Sequence, residues 1–480
     1  MESRTPLSSV QPSANTKLMT FGKKPTQLAI QKTSKIRINP KNPIESFPLI
    51  FEINSSEGML DWDRTQLFLR FQLCNTDGTV IDETKAGKVT TVNYLGNTFI
   101  NRLKFYASNN LVYDSLDTYA YKAYLESVLF EPEEVKKTLL VSALYSEDAA
   151  GKEPNTDANE GFKHRYSVTK KGTFTTISPL HADIFTAQQY FPRMVDYRLE
   201  MFRNSDAFLL LASKTSNESY ALTLTKAELL VHVVYPLPSF TLAYERTMSK
   251  IPAQFNIKKV RHTFKHSGSL LSQVASPVRG LVVSTPVRTP LYDSSAFQTE
   301  IKVLHLAAGR SDLPNACIHT GVLPRRVILM MVPSADYFGS KTTNPFRFKS
   351  FDLQRYQLRA NDKLFPNVPQ DMDFAGSEAF EMYRQLFDSL AGSSHMCTVT
   401  YDQFLDGYTF IVTDLSPDSS GSAGATLCQQ PVLLASLLLA HTQPLEQGTL
   451  SVDMKFKKDV PANTHGLKLL FYLEWDDFFS

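Results

Sequence analysis

Apolar and polar positions along this chain fall into short runs with a period near two, broken by clusters of turn-forming residues. Residues 67–73 (LFLRFQL) alternate in part, residues 103–107 (LKFYA) lead into Asn109-Asn110, and residues 227–235 (AELLVHVVY) are β-branched and stop at Pro236. Similar runs recur at residues 326–332, 408–415, 450–456 and 467–475. This spacing predicts many short strands in β-sandwiches or barrels rather than alternating β-α units. Neither GxGxxG nor GxxxxGK[ST] occurs, so no phosphate-cradling loop is indicated.

Two segments after residue 44 read as helices. In the first, Asp117 is placed to cap, and Tyr121, Tyr124, Leu125 and Val128 fall on one face. In the second, Ser377 is the expected cap, and Ala379, Met382, Tyr383, Leu386 and Leu390 form the buried side. Each helix follows a hairpin of the same design. ASNNLVY (residues 107–113) aligns with RANDKLF (residues 359–365), setting Asn109-Asn110 over Asn361-Asp362 and Tyr113 over Phe365. Asn and Asp tolerate the positive φ of tight hairpin turns. A repeat of this length predicts two similar β-domains in tandem. The expected division is a basic flexible arm over residues 1–43, a first domain over 44–238, a linker over 239–252 and a second domain over 253–480. Jelly rolls with long loops fit this length, and so do immunoglobulin-like sandwiches; the pattern does not choose between them. Residues 145–161 and 416–431 are polar and read as exposed loops.

Composition narrows the function. The chain has 480 residues, with 32 Phe and 20 Tyr against 2 Trp, a globular and aromatic-rich make-up. Its four cysteines, Cys74, Cys317, Cys397 and Cys428, are far apart and suggest neither a disulfide framework nor a zinc site. No apolar run reaches membrane-spanning length; residues 432–440 (VLLASLLLA) read as a buried strand. The first residues lack the apolar core of a signal peptide, which points to synthesis in the cytosol. Charge is uneven: residues 1–41 hold eight basic residues against Glu2, so the arm carries +7 of a net +2 and the rest is acidic. Lys17, Lys23, Lys24, Lys32, Lys35 and Arg37 are therefore candidates for contact with nucleic acid or an acidic neighbour, against the plainer reading of a solvated terminus.

Catalytic readings are weak. His181 and Asp183 have metal-ligand character at strand spacing, but no second histidine strand accompanies them. His232 sits in an apolar strand and reads as a core histidine. Cys317 and His319 have no orienting acid, and the carboxylates of LDWD (residues 60–63) and EWDD (residues 474–477) read as turn and strand-end groups. No enzyme, cofactor or metal is expected. The tyrosines at 121, 124 and 383 are expected to pack their helices, with an exposed flank of the first helix left for a neighbouring subunit.

The order of several segments carries a resemblance. The second half has GVLPRRVILMMVPSADYFGSKTTNPFRFKSFDL (residues 321–353), YRQLF (383–387), GYTFIVTDLSPD (407–418), GTLSVDMKFKKDVP (448–461) and LLFYLEWDD (469–477). The first half has IFEINSSEGMLDWDRTQLFLRFQL (50–73), YAYKAYLESVL (119–129), PLHADIF (179–185) and VDYRLEMFRNSDAF (195–208). Over about residues 44–478 the chain resembles the double jelly-roll major capsid proteins of Polinton (Maverick) elements and adintovirus-like viruses, relatives of the adenovirus hexon. The resemblance implies an all-β fold of two tandem eight-stranded jelly rolls, each with a short inserted helix and long loops. It also implies homotrimers of pseudo-hexagonal outline, neighbouring capsomers, penton-type minor capsid and cement proteins, and packaged double-stranded DNA near the arm, all within a virion. A glycan- or receptor-binding double sandwich is the alternative from a different class, and a metal-dependent jelly-roll oxygenase comes third.

Overall fold

The computed structural model describes residues 29–54, 58–76, 78–79, 88–187, 189–213, 220–248, 298–361, 363–374, 379–390, 397–415, 446–461 and 464–475. The first half supplies β1 (Ile30–Ile38), β2 (Leu49–Asn54), β3 (Met59–Asn75), β4 (Val89–Thr91), β5 (Ile100–Ala107), β6 (Asn110–Asp114), β7 (Thr173–Pro179), β8 (Asp196–Arg203), β9 (Leu210–Ala212) and β10 (Tyr220–Pro236). The second supplies β11 (Gln298–Leu306), β12 (Asp312–Val322), β13 (Arg326–Pro333), β14 (Leu353–Ala360), β15 (Lys363–Asp371), β16 (Ile411–Asp414), β17 (Gln447–Phe456) and β18 (Leu467–Trp475). Between strands lie α1 (Tyr119–Phe130), α2 (Glu160–Thr169), α3 (Pro238–Met248), α4 (Ser334–Phe338), α5 (Ala379–Leu390) and α6 (Tyr401–Leu405).

The strands form four antiparallel sheets, ordered β1-β10-β3-β7, β2-β8-β5-β6, β11-β18-β13-β16 and β12-β17-β14-β15, with β4-β9 as a separate pair. With β4 and β9 set aside, both halves follow one plan. The first, eighth, third and sixth strands make one sheet, and the second, seventh, fourth and fifth make the other. This is the jelly-roll order, and it appears twice. Helices α1 and α5 occupy the same place in the two copies, between the fifth and sixth strands.

Alternation decides which side of each strand is inward. On β3, Leu67, Leu69, Phe71 and Leu73 are buried, whereas Arg70 is exposed. The first core closes around Trp62, fully buried, with Phe105, Phe185, Phe191 and Tyr197 packed edge-on at 5.2–6.3 Å. That geometry suits the ring quadrupoles and adds to the burial of apolar area.

The hairpin repeat is present with a shift of one residue. The first turn is Ser108-Asn109, at φ 47° and 62°, and Ala107 pairs with Asn110. Its counterpart pairs Ala360 with Lys363, and Asn361 has φ 53°. A bulge beside Phe105 absorbs the difference, so Tyr113 opposes Phe105 as Phe365 opposes Leu358. Asp362 and Ser377 lie outside the described residues. Asp117 does not cap α1. It belongs to the 3₁₀ turn Leu116–Thr118, and Asp114 holds that turn by accepting from the Leu116 backbone N–H at 2.9 Å.

Part of the expected arm is regular. Residues 30–38 are strand β1, laddered on β10 at the edge of its sheet. An edge strand with one half-buried side needs few apolar residues, and charged side chains there discourage further pairing, which is why its hydrophobic period is faint. Part of the expected linker is also regular: α3 starts at Pro238, where a proline's fixed φ suits a first helical position. Residues 432–440 lie outside the described residues.

Candidate functional site: the seam between the jelly rolls

Helix α1 is sealed on nearly all sides: of its twelve residues, only Glu126 and Phe130 are not buried. The expected exposed flank is therefore corrected. What covers it is the second half of the same chain. Tyr121 stacks on Tyr337 of α4 at 5.2 Å with the rings nearly parallel, and also meets Phe208, Phe346 and Phe348. Tyr124 packs on Phe346 at 4.5 Å, and its hydroxyl donates to the Tyr408 hydroxyl at 3.2 Å. Neither ring is available to stack on a ligand.

A buried polar network runs alongside these rings. The Lys122 ammonium lies 2.7 Å from Asp183 Oδ1 and donates to the Tyr113 hydroxyl at 3.4 Å. Asp183 in turn accepts from the Thr299 hydroxyl of β11 at 3.0 Å. Glu126 sits 2.9 Å from His181 Nδ1 and accepts from the Tyr472 hydroxyl of β18 at 3.2 Å. The other ring nitrogen of His181 is 2.8 Å from the Tyr94 hydroxyl. Burial by itself would lower the Lys122 ammonium; Asp183, Tyr113 and Glu126 together outweigh it and hold the lysine charged. Burial likewise would raise Glu126, but Lys122 and His181 keep it below the usual carboxylate value.

A second junction involves a segment expected to be a free loop. Asp148 accepts from fully buried Arg165 of α2 at 2.8 Å and from Asn344 of the second half at 2.9 Å. Asn155 donates to the Thr342 carbonyl at 3.2 Å, and Lys136 to the Thr398 hydroxyl at 2.8 Å. Residues 145–161 are therefore tied into the seam rather than standing free in solvent. The Asn344-Pro345-Phe346 motif now has a physical role. Asn344 Oδ1 accepts from the Phe346 backbone N–H at 3.0 Å, a tight local turn that aims the buried Phe346 ring between Tyr121 and Tyr124. Gly339 has φ 103°, and a Cβ there would lie 2.5 Å from the Phe208 backbone nitrogen, so the two halves meet where only glycine fits.

The sequence-predicted residues divide among several places. Lys17, Lys23 and Lys24 lie outside the described residues. Lys32 sits over the Tyr235 ring at 4.5 Å, Lys35 donates to Gln66 at 2.7 Å, and Arg37 pairs with Glu228 at 2.8 Å. These three belong to β1 and not to an arm. Tyr383 is half-buried on α5, with its hydroxyl donating to the Val399 carbonyl at 2.9 Å. His181 and Asp183 serve the seam network, and among the described residues no group of three or more His, Cys, Asp or Glu side chains is arranged to hold a metal. His232 is half-buried on the outer face of β10 opposite Lys35, not in the core. Cys317 and His319 are separated by a register shift, and the His319 ring packs on Trp475. Among the described residues, no helix is long and apolar enough to cross a membrane. The pairing of Lys122 with Asp183 escaped sequence reasoning because 61 positions separate them; the buried-side spacing of α1 was the available signal.

No family model matches the chain. An uncharacterized protein of Caenorhabditis elegans is 23% identical over 467 residues, covering 95% of this chain and 96% of its own. Among solved structures, a chain of the Sputnik virophage superposes with a TM-score of 0.57 at 12% identity, over 99% of this chain and 91% of that one. PBCV-1 VP54, fitted into a reconstruction of the same virophage, gives 0.51 at 8% identity, over 95% and 96%. These structural neighbours are viral double jelly-roll capsid proteins, and this chain shares their fold.

Proposed function

We propose that this chain is a major capsid protein of the Polinton and adintovirus type. Three copies close into a pseudo-hexameric capsomer, and capsomers tile an icosahedral shell around double-stranded DNA. One observation carries the reading: a single eight-strand plan occurs twice and the two copies are locked together by a buried seam. A chain built this way is a rigid two-lobed tile, and three such tiles present six similar lobes, the outline that a hexagonal lattice needs. Burial of apolar and aromatic area between subunits, in the large-interface class, would hold the trimer. Penton-type and cement proteins would complete the shell, and the residues before β1, with Lys17, Lys23 and Lys24, would face packaged DNA. A glycan- or receptor-binding double sandwich would instead present aromatic rings at its loop tips, and Tyr121 and Tyr124 are sealed in the seam. Sedimentation equilibrium together with electron microscopy tests the proposal: trimers with a hexagonal outline are expected, and a monomer at every concentration overturns it.

A further inference from the structure

Duplication of the plan gives each half one sheet face and one helix of the same kind, and among the described residues the chain uses one such pair internally. In the second half, Trp475 Nε1 donates to the Val322 carbonyl on β12, so that side of β18 faces the sandwich interior. The alternate residue Tyr472 therefore points outward, and there it meets Glu126 of the first half's α1. The internal joint is thus the outer face of the β11-β18-β13-β16 sheet set against the inserted helix of the other half.

The complementary pair is left over. The outer face of β1-β10-β3-β7 carries Lys35, Arg37, Arg70 and Lys226 against two acids, Glu228 and the buried Asp61 opposite His232, around Phe68 and the 37% exposed Ile177. Helix α5 is open where α1 is closed. Phe380 is 57% exposed and stacks on Tyr401 of α6 at 4.0 Å, with Glu381, Arg384, Asp388 and Asp402 also exposed on these two helices. One face is net positive and the other net negative.

We infer that these two faces bind each other between copies: α5 and α6 of one chain seat on the outer face of the β1-β10-β3-β7 sheet of the next. The occupant is a second copy because the chain already makes this joint between its own halves, and because the two free faces have opposite charge. A sheet face at one side and a helix face at the other make a head-to-tail contact, which closes into a ring when the rotation allows. The internal joint combines aromatic rings with a buried ionic network. The joint between copies would carry its charges at exposed positions, as suits subunits that are soluble before they meet. This assignment rests on the capsomer reading and names the surfaces that would build it.

Charge reversal tests it. Lys35→Glu with Arg70→Glu alters the sheet face, and Glu381→Lys with Asp388→Lys alters the helix face. All four side chains are exposed, so unchanged thermal unfolding verifies that each variant folds. In sedimentation velocity, each two-site variant alone is expected to weaken self-association at least about a hundredfold, because like charges then face each other. Joining all four substitutions in one chain restores complementarity and should restore the oligomer. Single-face variants that sediment as the unaltered trimer overturn the assignment and leave the capsomer reading standing. An unaltered chain that is monomeric at all concentrations overturns both.

Discussion

The Lys122 ammonium lies 2.7 Å from the Asp183 carboxylate, with side-chain exposures of 4% and 5%. The lysine is on α1, and the aspartate also accepts from Thr299 of the second half, so this ion pair belongs to the joint between the jelly rolls as much as to the first of them. Removing one partner strands the other charge away from water. Asp183→Ala is expected to destabilise the protein by about 3–5 kcal/mol, and Lys122→Met with Asp183→Leu together by much less. Denaturant unfolding of the single and double variants would decide this; an additive double variant would contradict it.

The aromatic contacts across the seam should matter as much. Phe346→Ala removes the ring wedged between Tyr121 and Tyr124 and should destabilise by about 3–5 kcal/mol. Tyr124→Phe removes only a hydroxyl bonded to Tyr408 and should lose about 1 kcal/mol. A double-mutant cycle with Tyr408→Phe reads the coupling directly.

Acid should loosen the seam. Glu126 is held below its usual value of 4.5 in the folded state: burial pushes it up, and Lys122, His181 and Tyr472 bring it down further. A carboxyl lowered by folding contributes stability above its unfolded value and loses that contribution as pH falls through the folded one. Stability should therefore decline as pH drops below 4.5. Glu126→Gln should be less stable at neutral pH and show a shallower acid decline in pH-dependent thermal unfolding.

Gly339 offers a local test of how closely the halves approach. Gly339→Ala places a methyl group against the Phe208 backbone at a positive φ and should destabilise by about 1–3 kcal/mol. An unchanged melting temperature would mean that the halves can part there without loss.

Truncation separates the arm from the edge strand. A deletion ending at residue 28 should keep the melting temperature and lower salt-dependent DNA retention, since it removes Lys17, Lys23 and Lys24. A deletion ending at residue 38 also strips β1 from β10, and its melting temperature should fall. Equal melting for both deletions would deny β1 a structural role.

Much of the fold was legible in local pattern. The partial alternation on β3 marked a strand with one buried side, and the apolar runs of β10 and β18 marked strands buried along much of both faces. The hairpin at Asn361 showed itself because few residues tolerate a positive φ. The repeat was visible because both copies kept a hairpin followed by a helix. Strand β1 was not legible: its ladder is made by the backbone, and its exposed side chains look like those of a charged tail.

By itself the sequence determined the β class, the duplication and the tyrosine face of α1, since each follows from spacing within a few residues. Tertiary structure alone decided what that face meets. Tyr121 with Tyr337, Lys122 with Asp183 and Glu126 with Tyr472 join residues up to 346 positions apart. Periodicity fixes which side of a helix is apolar, and only the docking of one jelly roll on the other fixes which surface covers it.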